Sequence, residues 1–231
     1  MDLLVDHPFG DRLAGLAVPA WCQGVWQRER LAYPGVEDRE KRVVWIQTPL
    51  LFADLRSPPP GRSGRAEGFA GHLLVSGQIC AWQRPLDVHP ATGPGDAGAM
   101  YRDGDALLEC GIHANYIEDW RLVAGPESHL AATRGAVSLR DGEVVWPDEG
   151  PLEILVCCGG HVIHAVRGGG TACLRYGRFD AASGAMTPAW SVGGAQPVAA
   201  SLPWMVWHAT MKSVARDTLL GSLEDLAIAA G

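Results

Sequence analysis

The sequence predicts a mainly β protein, with antiparallel strands arranged as two barrel-like halves and a helix at the C-terminus. Three observations predict it. Turn signals punctuate the chain at intervals of roughly 8–12 residues, the rhythm of sandwiches and barrels. Hydrophobic residues make up 47% of the 231 positions and charged residues 19%, enough to bury one large core or two smaller ones. Nine tryptophans stand against four tyrosines and four phenylalanines, an excess of indole that fits two cores or a cavity with indole walls.

The elements follow in order. Asp11–Val18 is a short helical stretch. Lys41–Thr48 reads as a strand, and Pro49 interrupts it before Leu50–Arg56. The three prolines of Ser57–Gly64 remove three backbone donors, so this segment is a loop. Gly71–Val75 and Gln78–Arg84 flank a turn at Ser76-Gly77, and Asp87–Ala99 is a second long loop. Met100–Arg102 and Ala106–Glu109 flank Asp103-Gly104-Asp105, and Tyr116–Val123 continues as a strand. A soft boundary at Gly125–His129 separates residues 1–125 from residues 126–231. Beyond it, Ala136–Leu139 and Val144–Trp146 flank Arg140–Glu143, while Leu152–Cys158 and His161–Arg167 flank Gly159-Gly160. Thr171–Phe179 turns through Asp180–Gly184 into Ala185–Trp190. Over Met211–Ala229, Val214, Leu219, Leu223 and Leu226 recur at helical spacing, as in a helix that covers a barrel mouth or edge.

Several function classes lose support. A formal charge of -7 disfavours nucleic acid and anionic membrane surfaces as partners. No signal-like leader and no run of roughly 18 apolar residues is seen, so a cytoplasmic location is expected. The six cysteines contain no CxxC pair, and Cys157 and Cys158 are adjacent; they read as small buried hydrophobes, with no metal expected. No P-loop, GxGxxG-opened helix, HExxH or GxSxG motif occurs, and no cofactor is expected.

Candidate chemistry concentrates in Leu107–Trp120. Read as one strand, its even positions, from Leu108 through Tyr116, Glu118 and Trp120, point inward. Glu118 is then a carboxylate among rings, which demands a raised pKa, an arginine partner or a ligand. It is the candidate acid or base, with Tyr116 donating beside it; the alternative is a structural Glu–Arg pair inside the barrel. A bulge at Gly111 would flip the phase and bring Glu109 and His113 to the site. Trp45 and Gln47 share a face before Pro49, and Phe52, Asp54 and Arg56 share one after it. Asp54 and Arg56 either satisfy each other or form a fork for a ligand carboxylate or carbonyl. Cys80, Trp82 and Arg84 share a further face, with Arg84 the natural counter-ion of Glu118. In the second half, His164 reads as a core histidine, His161 and His164 face opposite ways, and His208 reads as packing.

The series Trp26-Gln27-Arg28, Asp38, Val44-Trp45-Ile46-Gln47-Thr48, Phe52-Ala53-Asp54-Leu55-Arg56, Gly68-Phe69-Ala70-Gly71, Cys80-Ala81-Trp82, Asp87 and Glu109…Tyr116…Glu118…Trp120 resembles a group of calycin-like proteins. That group includes bacterial chains and a fungal kinase-interacting protein. The resemblance covers roughly residues 20–122 and implies a lipocalin-related barrel, one or two per chain, whose interior could take a small ligand. It implies no particular reaction. The expected function is therefore binding of a small apolar or amphipathic molecule at Trp45, Gln47, Phe52, Trp82, Arg84, Glu109 and Trp120. Acid/base catalysis of lyase, hydratase, isomerase or cyclase type by Glu118, Tyr116, His113, Arg56 and Asp54 would be added if the chain is an enzyme. A non-catalytic carrier and an interaction module with filled barrels are the alternatives, and a homodimer is compatible with each.

Overall fold

Strand after strand is joined by a tight turn, and the sequence signals account for most of them. The hairpin turn Gly159-Gly160 has φ of 53° and 76° at its two residues, a left-handed pair that glycine adopts without steric cost. The computed structural model of the chain describes residues 4–6, 15–90, 93–194 and 202–229. The strands are β1 (Leu4–Asp6), β2 (Gly24–Tyr33), β3 (Val36–Asp38), β4 (Arg42–Gln47), β5 (Phe52–Ser57), β6 (Glu67–Ser76), β7 (Ile79–Asp87), β8 (Asp96–Asp103), β9 (Ala106–Gly111) and β10 (Ile117–Ala124). They continue as β11 (His129–Gly135), β12 (Ser138–Arg140), β13 (Glu143–Val145), β14 (Leu152–Cys158), β15 (His161–Gly168), β16 (Thr171–Asp180), β17 (Ala185–Gly193) and β18 (Trp204–Ala209). Helix α1 (Ser213–Ala229) follows. The expected helical stretch Asp11–Val18 lies largely outside the described residues.

Strands β2 and β4 to β10 pair antiparallel in sequence order, and β10 returns to pair with β2, closing an eight-stranded barrel. Closure pairs Trp120 with Arg28 and Glu118 with Leu31, with a register shift between them that leaves Glu29 as an extra residue. The second half is a seven-stranded sheet in the order β1-β18-β11-β14-β15-β16-β17. Among the described residues no pairing joins its outer strands, so the closed barrel is that of the first half. Helix α1 lays Leu219, Leu220 and Leu223 on one face of this sheet, against Leu155, Cys157 and Val162. Val214, expected on that apolar face, is 77% exposed. Among the described residues no helix is long and apolar enough to cross a membrane.

Two further cores organise the molecule. Ile46, Ala53, Leu55 and Ala70 on the outside of the barrel pack with Leu152, Ile154, Ile163 and Leu174 of the sheet. Inside the barrel, Trp26, Trp45, Trp82, Trp120, Phe52 and Phe69 gather with Met100 and Leu107. A 310 turn at Ala20–Cys22 closes one end, where Trp26 Nε1 donates to Cys22 O at 2.9 Å. The barrel interior is thus aromatic and filled at that end. Its polar groups lie toward the other.

Candidate functional site

The polar end is assembled by strands that each bring one or two charged residues to it. Arg28 on β2 donates through Nη1 to Glu118 Oε1 of β10 at 2.7 Å and through Nη2 to Asp38 Oδ2 at 3.2 Å. Arg56 and Asp54 on β5 satisfy each other, with Nε to Oδ1 at 2.8 Å and Nη2 to Oδ2 at 3.3 Å. Arg56 also comes within 3.8 Å of Glu118. Arg84 on β7 pairs with Asp87 at 2.6 Å and Asp96 at 3.1 Å, its guanidinium 3.5 Å above the centre of the Phe69 ring. The expected Arg84–Glu118 pair is therefore replaced by Arg28–Glu118, and the Asp54–Arg56 fork is closed on itself.

The stretch Leu107–Trp120 is not one strand. It breaks at Gly111 into β9 and β10, joined by a turn in which Gly111 N–H donates to Tyr116 O at 3.0 Å. The break resets the alternation, so Leu107 and Glu109 point inward in β9 while Glu118 and Trp120 point inward in β10. Leu108, expected inside, is 38% exposed. Glu109 and Glu118 become directly opposed cross-strand neighbours. His113 is exposed in the turn and borders the cleft that opens beside Tyr116.

Two glycines make this geometry possible. A side chain at Gly111 would collide with the Tyr116 ring, which lies across it and aims its hydroxyl at Glu109. A Cβ at Gly98 would sit 2.8 Å from Glu109 Cγ, so its absence is the space Glu109 occupies. Tyr116 Oη donates to Glu109 Oε1 at 2.7 Å and Trp120 Nε1 donates to Glu109 Oε2 at 3.1 Å. Burial, then the charge of Glu118, pushes the Glu109 carboxyl up to about 8, so it holds its proton at neutral pH.

The unfolded chain would ionise this group near 4.5. Between that pH and about 8 the native state therefore holds a proton that the unfolded state has lost, and stability falls as pH rises through this window. Glu109→Gln mimics the protonated acid, with its carbonyl toward Trp120 and its amide toward Tyr116. The stability of wild type relative to this variant is expected to decline from pH 4.5 to 8 and to level off above. A difference in urea midpoint that does not change with pH would remove the buried proton.

A cleft of about 770 Å³ opens over this end, between the barrel and the second sheet. Trp82, Arg84, Asp96 and Tyr116 face it from the barrel, and Asp148 and Arg167 from the sheet side. Tyr116 links the open cleft to the buried Glu109. Trp45, Gln47, Phe52 and Trp120 lie deeper, within the filled interior or at its closed end, and do not border the cleft. The residues that sequence reasoning left out are Arg28, Asp96, Asp148 and Arg167. Trp26 and Arg28 share a strand face in the sequence, a signal that could have placed Arg28 inside.

In the second half, Glu153 accepts from His164 Nε2 at 2.5 Å and His208 bonds His129 at 2.7 Å, so His208 is a hydrogen-bonding partner rather than packing alone. Burial pushes the thiols of Cys157 and Cys158 up to about 12, far from a nucleophile's range. Among the described residues no group of three or more metal-ligating side chains gathers. No significant match to the chain is found among protein-family models, curated proteins or solved structures.

Proposed function

We propose that this chain binds a small amphipathic molecule in the cleft at the polar end of its barrel, with Glu109 and Tyr116 serving as an acid/base pair. One observation carries the reading: a buried carboxyl, 4% exposed and pushed toward its protonated form by burial, is hydrogen-bonded to a tyrosine that forms part of the cleft wall. Clefts of this size with aromatic walls and a few convergent polar groups are the common form of a ligand site. Perturbed carboxyls in such places are the common form of a catalytic acid. The closed eight-stranded antiparallel barrel also supports kinship with calycin-like proteins.

The chemistry available is proton transfer. Burial raises the Tyr116 hydroxyl well above its ordinary value, so a lasting phenolate is disfavoured. With a molecule bound, the Tyr116 hydroxyl turns its O–H to the ligand and accepts the Glu109 O–H, and it passes its proton on as it takes the proton of Glu109. The carboxylate left behind keeps the Trp120 N–H and the Tyr116 hydroxyl as donors. This suits lyase, hydratase, isomerase or cyclase chemistry. Glu118, bonded to Arg28 and away from the cleft wall, acts on Glu109 through its charge.

A second reading has its own support. The aromatic end is occupied by the chain's own rings, as in a non-catalytic module whose barrel is filled. A ligand panel separates the two. Small amphipathic ligands are expected to change the tryptophan emission of wild type, and Trp82→Phe to remove most of that response. Mass analysis of the recovered ligand then reports turnover, which Glu109→Gln should lower by roughly 10²- to 10⁴-fold while binding persists. A flat emission across the panel would leave the filled-module reading standing alone.

A further inference from the structure

The charges around the cleft do not balance. With Glu109 protonated, six carboxylates, Asp38, Asp54, Asp87, Asp96, Glu118 and Asp148, stand against four guanidiniums, Arg28, Arg56, Arg84 and Arg167, at the polar end of the barrel and its cleft. Each guanidinium is already engaged: Arg28 by Glu118 and Asp38, Arg56 by Asp54, and Arg84 by Asp87 and Asp96. Arg167 on the facing wall gives its donors to three carbonyls, Pro85 O at 2.7 Å, Pro147 O at 2.6 Å and Gly150 O at 3.2 Å. An incoming anion would find these groups held by other acceptors and flanked by carboxylates.

A cation meets the reverse situation. Glu109 is buried and hydrogen-bonded only to the neutral donors Tyr116 and Trp120, with no ion-pair partner among the described residues. On the far wall, exposed Asp148 forms no hydrogen bond or close ion pair among the described residues, and the charge nearest to engaging it is that of Arg167. The cleft continues past Asp87, Pro90, Asp148 and Arg167 into a second hollow of about 690 Å³, where Glu149 adds another carboxylate. Trp82 and Tyr116 present ring surface on the barrel side, and aromatic faces attract organic cations.

Building on the small-molecule reading of the cleft, we infer that its ligand is an amphipathic organic cation. Its ammonium group faces Tyr116, Asp96 and Asp148, and its hydrocarbon part rests on Trp82 and Pro85. The unpaired Glu109 couples to that charge. A cation beside Tyr116 favours the carboxylate form of Glu109, so binding lowers the pH at which its proton leaves, easing transfer through Tyr116 and releasing part of a proton to solvent at neutral pH.

The test compares three probes of equal chain length: hexyltrimethylammonium, hexanol and hexanoate. Each is titrated by tryptophan emission and by calorimetry in two buffers of different ionisation enthalpy. Hexyltrimethylammonium is expected to bind at least about tenfold tighter than hexanoate, and to weaken with added salt. It should release up to about one proton per site from wild type and none from Glu109→Gln. Asp148→Asn, a change at an exposed position, should weaken the cation several-fold and leave hexanol unchanged. Tighter binding of hexanoate or hexanol overturns the cationic class while the cleft stands as a ligand site. Cation binding without proton release from wild type overturns the coupling to Glu109. No response to any probe removes both the class and the site.

Discussion

Replacing Glu118 with Leu lowers the unfolding free energy by about 3–5 kcal/mol, because it strands the Arg28 guanidinium inside the barrel. Both side chains are nearly sealed from water, at 2% and 4% exposure, and their hydrogen bond is 2.7 Å long. Arg28→Met should cost a similar amount by stranding Glu118. The double variant should recover most of the loss, since replacing both partners of a buried pair with apolar side chains is often close to neutral. Urea midpoints at constant m-value measure all three. Strictly additive losses would mean that the two side chains do not act as a pair. Removing Glu118 also removes the like charge opposite Glu109, so the Glu109 proton should come off at lower pH in that variant.

Trp45→Ala is expected to cost about 3–5 kcal/mol by opening a void in the middle of the aromatic core. The Trp45 ring is 5.8 Å from Trp120, 6.1 Å from Trp26 and 6.2 Å from Trp82, so its loss removes support from three other indoles at once. Its Nε1 donor has no acceptor among the described residues. Trp45→Phe should therefore cost much less, since relief of a buried unpaired donor offsets part of the lost contact. Apolar voids of this kind stay dry and accept small aromatic molecules. Indole added to the Ala variant should raise its melting temperature and leave wild type unmoved. A variant as stable as wild type would show that the barrel interior can collapse around the missing ring.

The fold was legible where turns carried it, because glycine and aspartate pairs between alternating runs mark hairpins whatever lies around them. The strand that closes the barrel was not. In β2, the run Gln27-Arg28-Glu29-Arg30 reads as a solvated surface, and the extra residue at Glu29 breaks the alternation between Arg28 and Leu31, so the inward face shows no sustained period of two. The site was half legible for the same reason. Glu118 could be placed inside from its neighbours Tyr116 and Trp120. Glu109 depended on whether the chain broke at Gly111, and a single sequence carries both possibilities. Long-range partners such as Arg28 with Glu118, ninety residues apart, are set by barrel closure and leave no local trace. Asp148 and Arg167 reach the cleft only because the second sheet packs against the barrel wall.

That packing has a consequence for how the gene could be cut. Ile46, Ala53, Leu55 and Ala70 turn their side chains away from the barrel's own interior and are nonetheless sealed, each at 0% exposure, by residues that come more than eighty positions later. A fragment ending near Gly125 would keep every strand pairing of its barrel yet present a greasy flank to water. Such a fragment should aggregate or seek its missing half, and the two pieces expressed together should reassemble. The chain is best regarded as a single melting unit, unsuited to supplying its barrel as a detachable part.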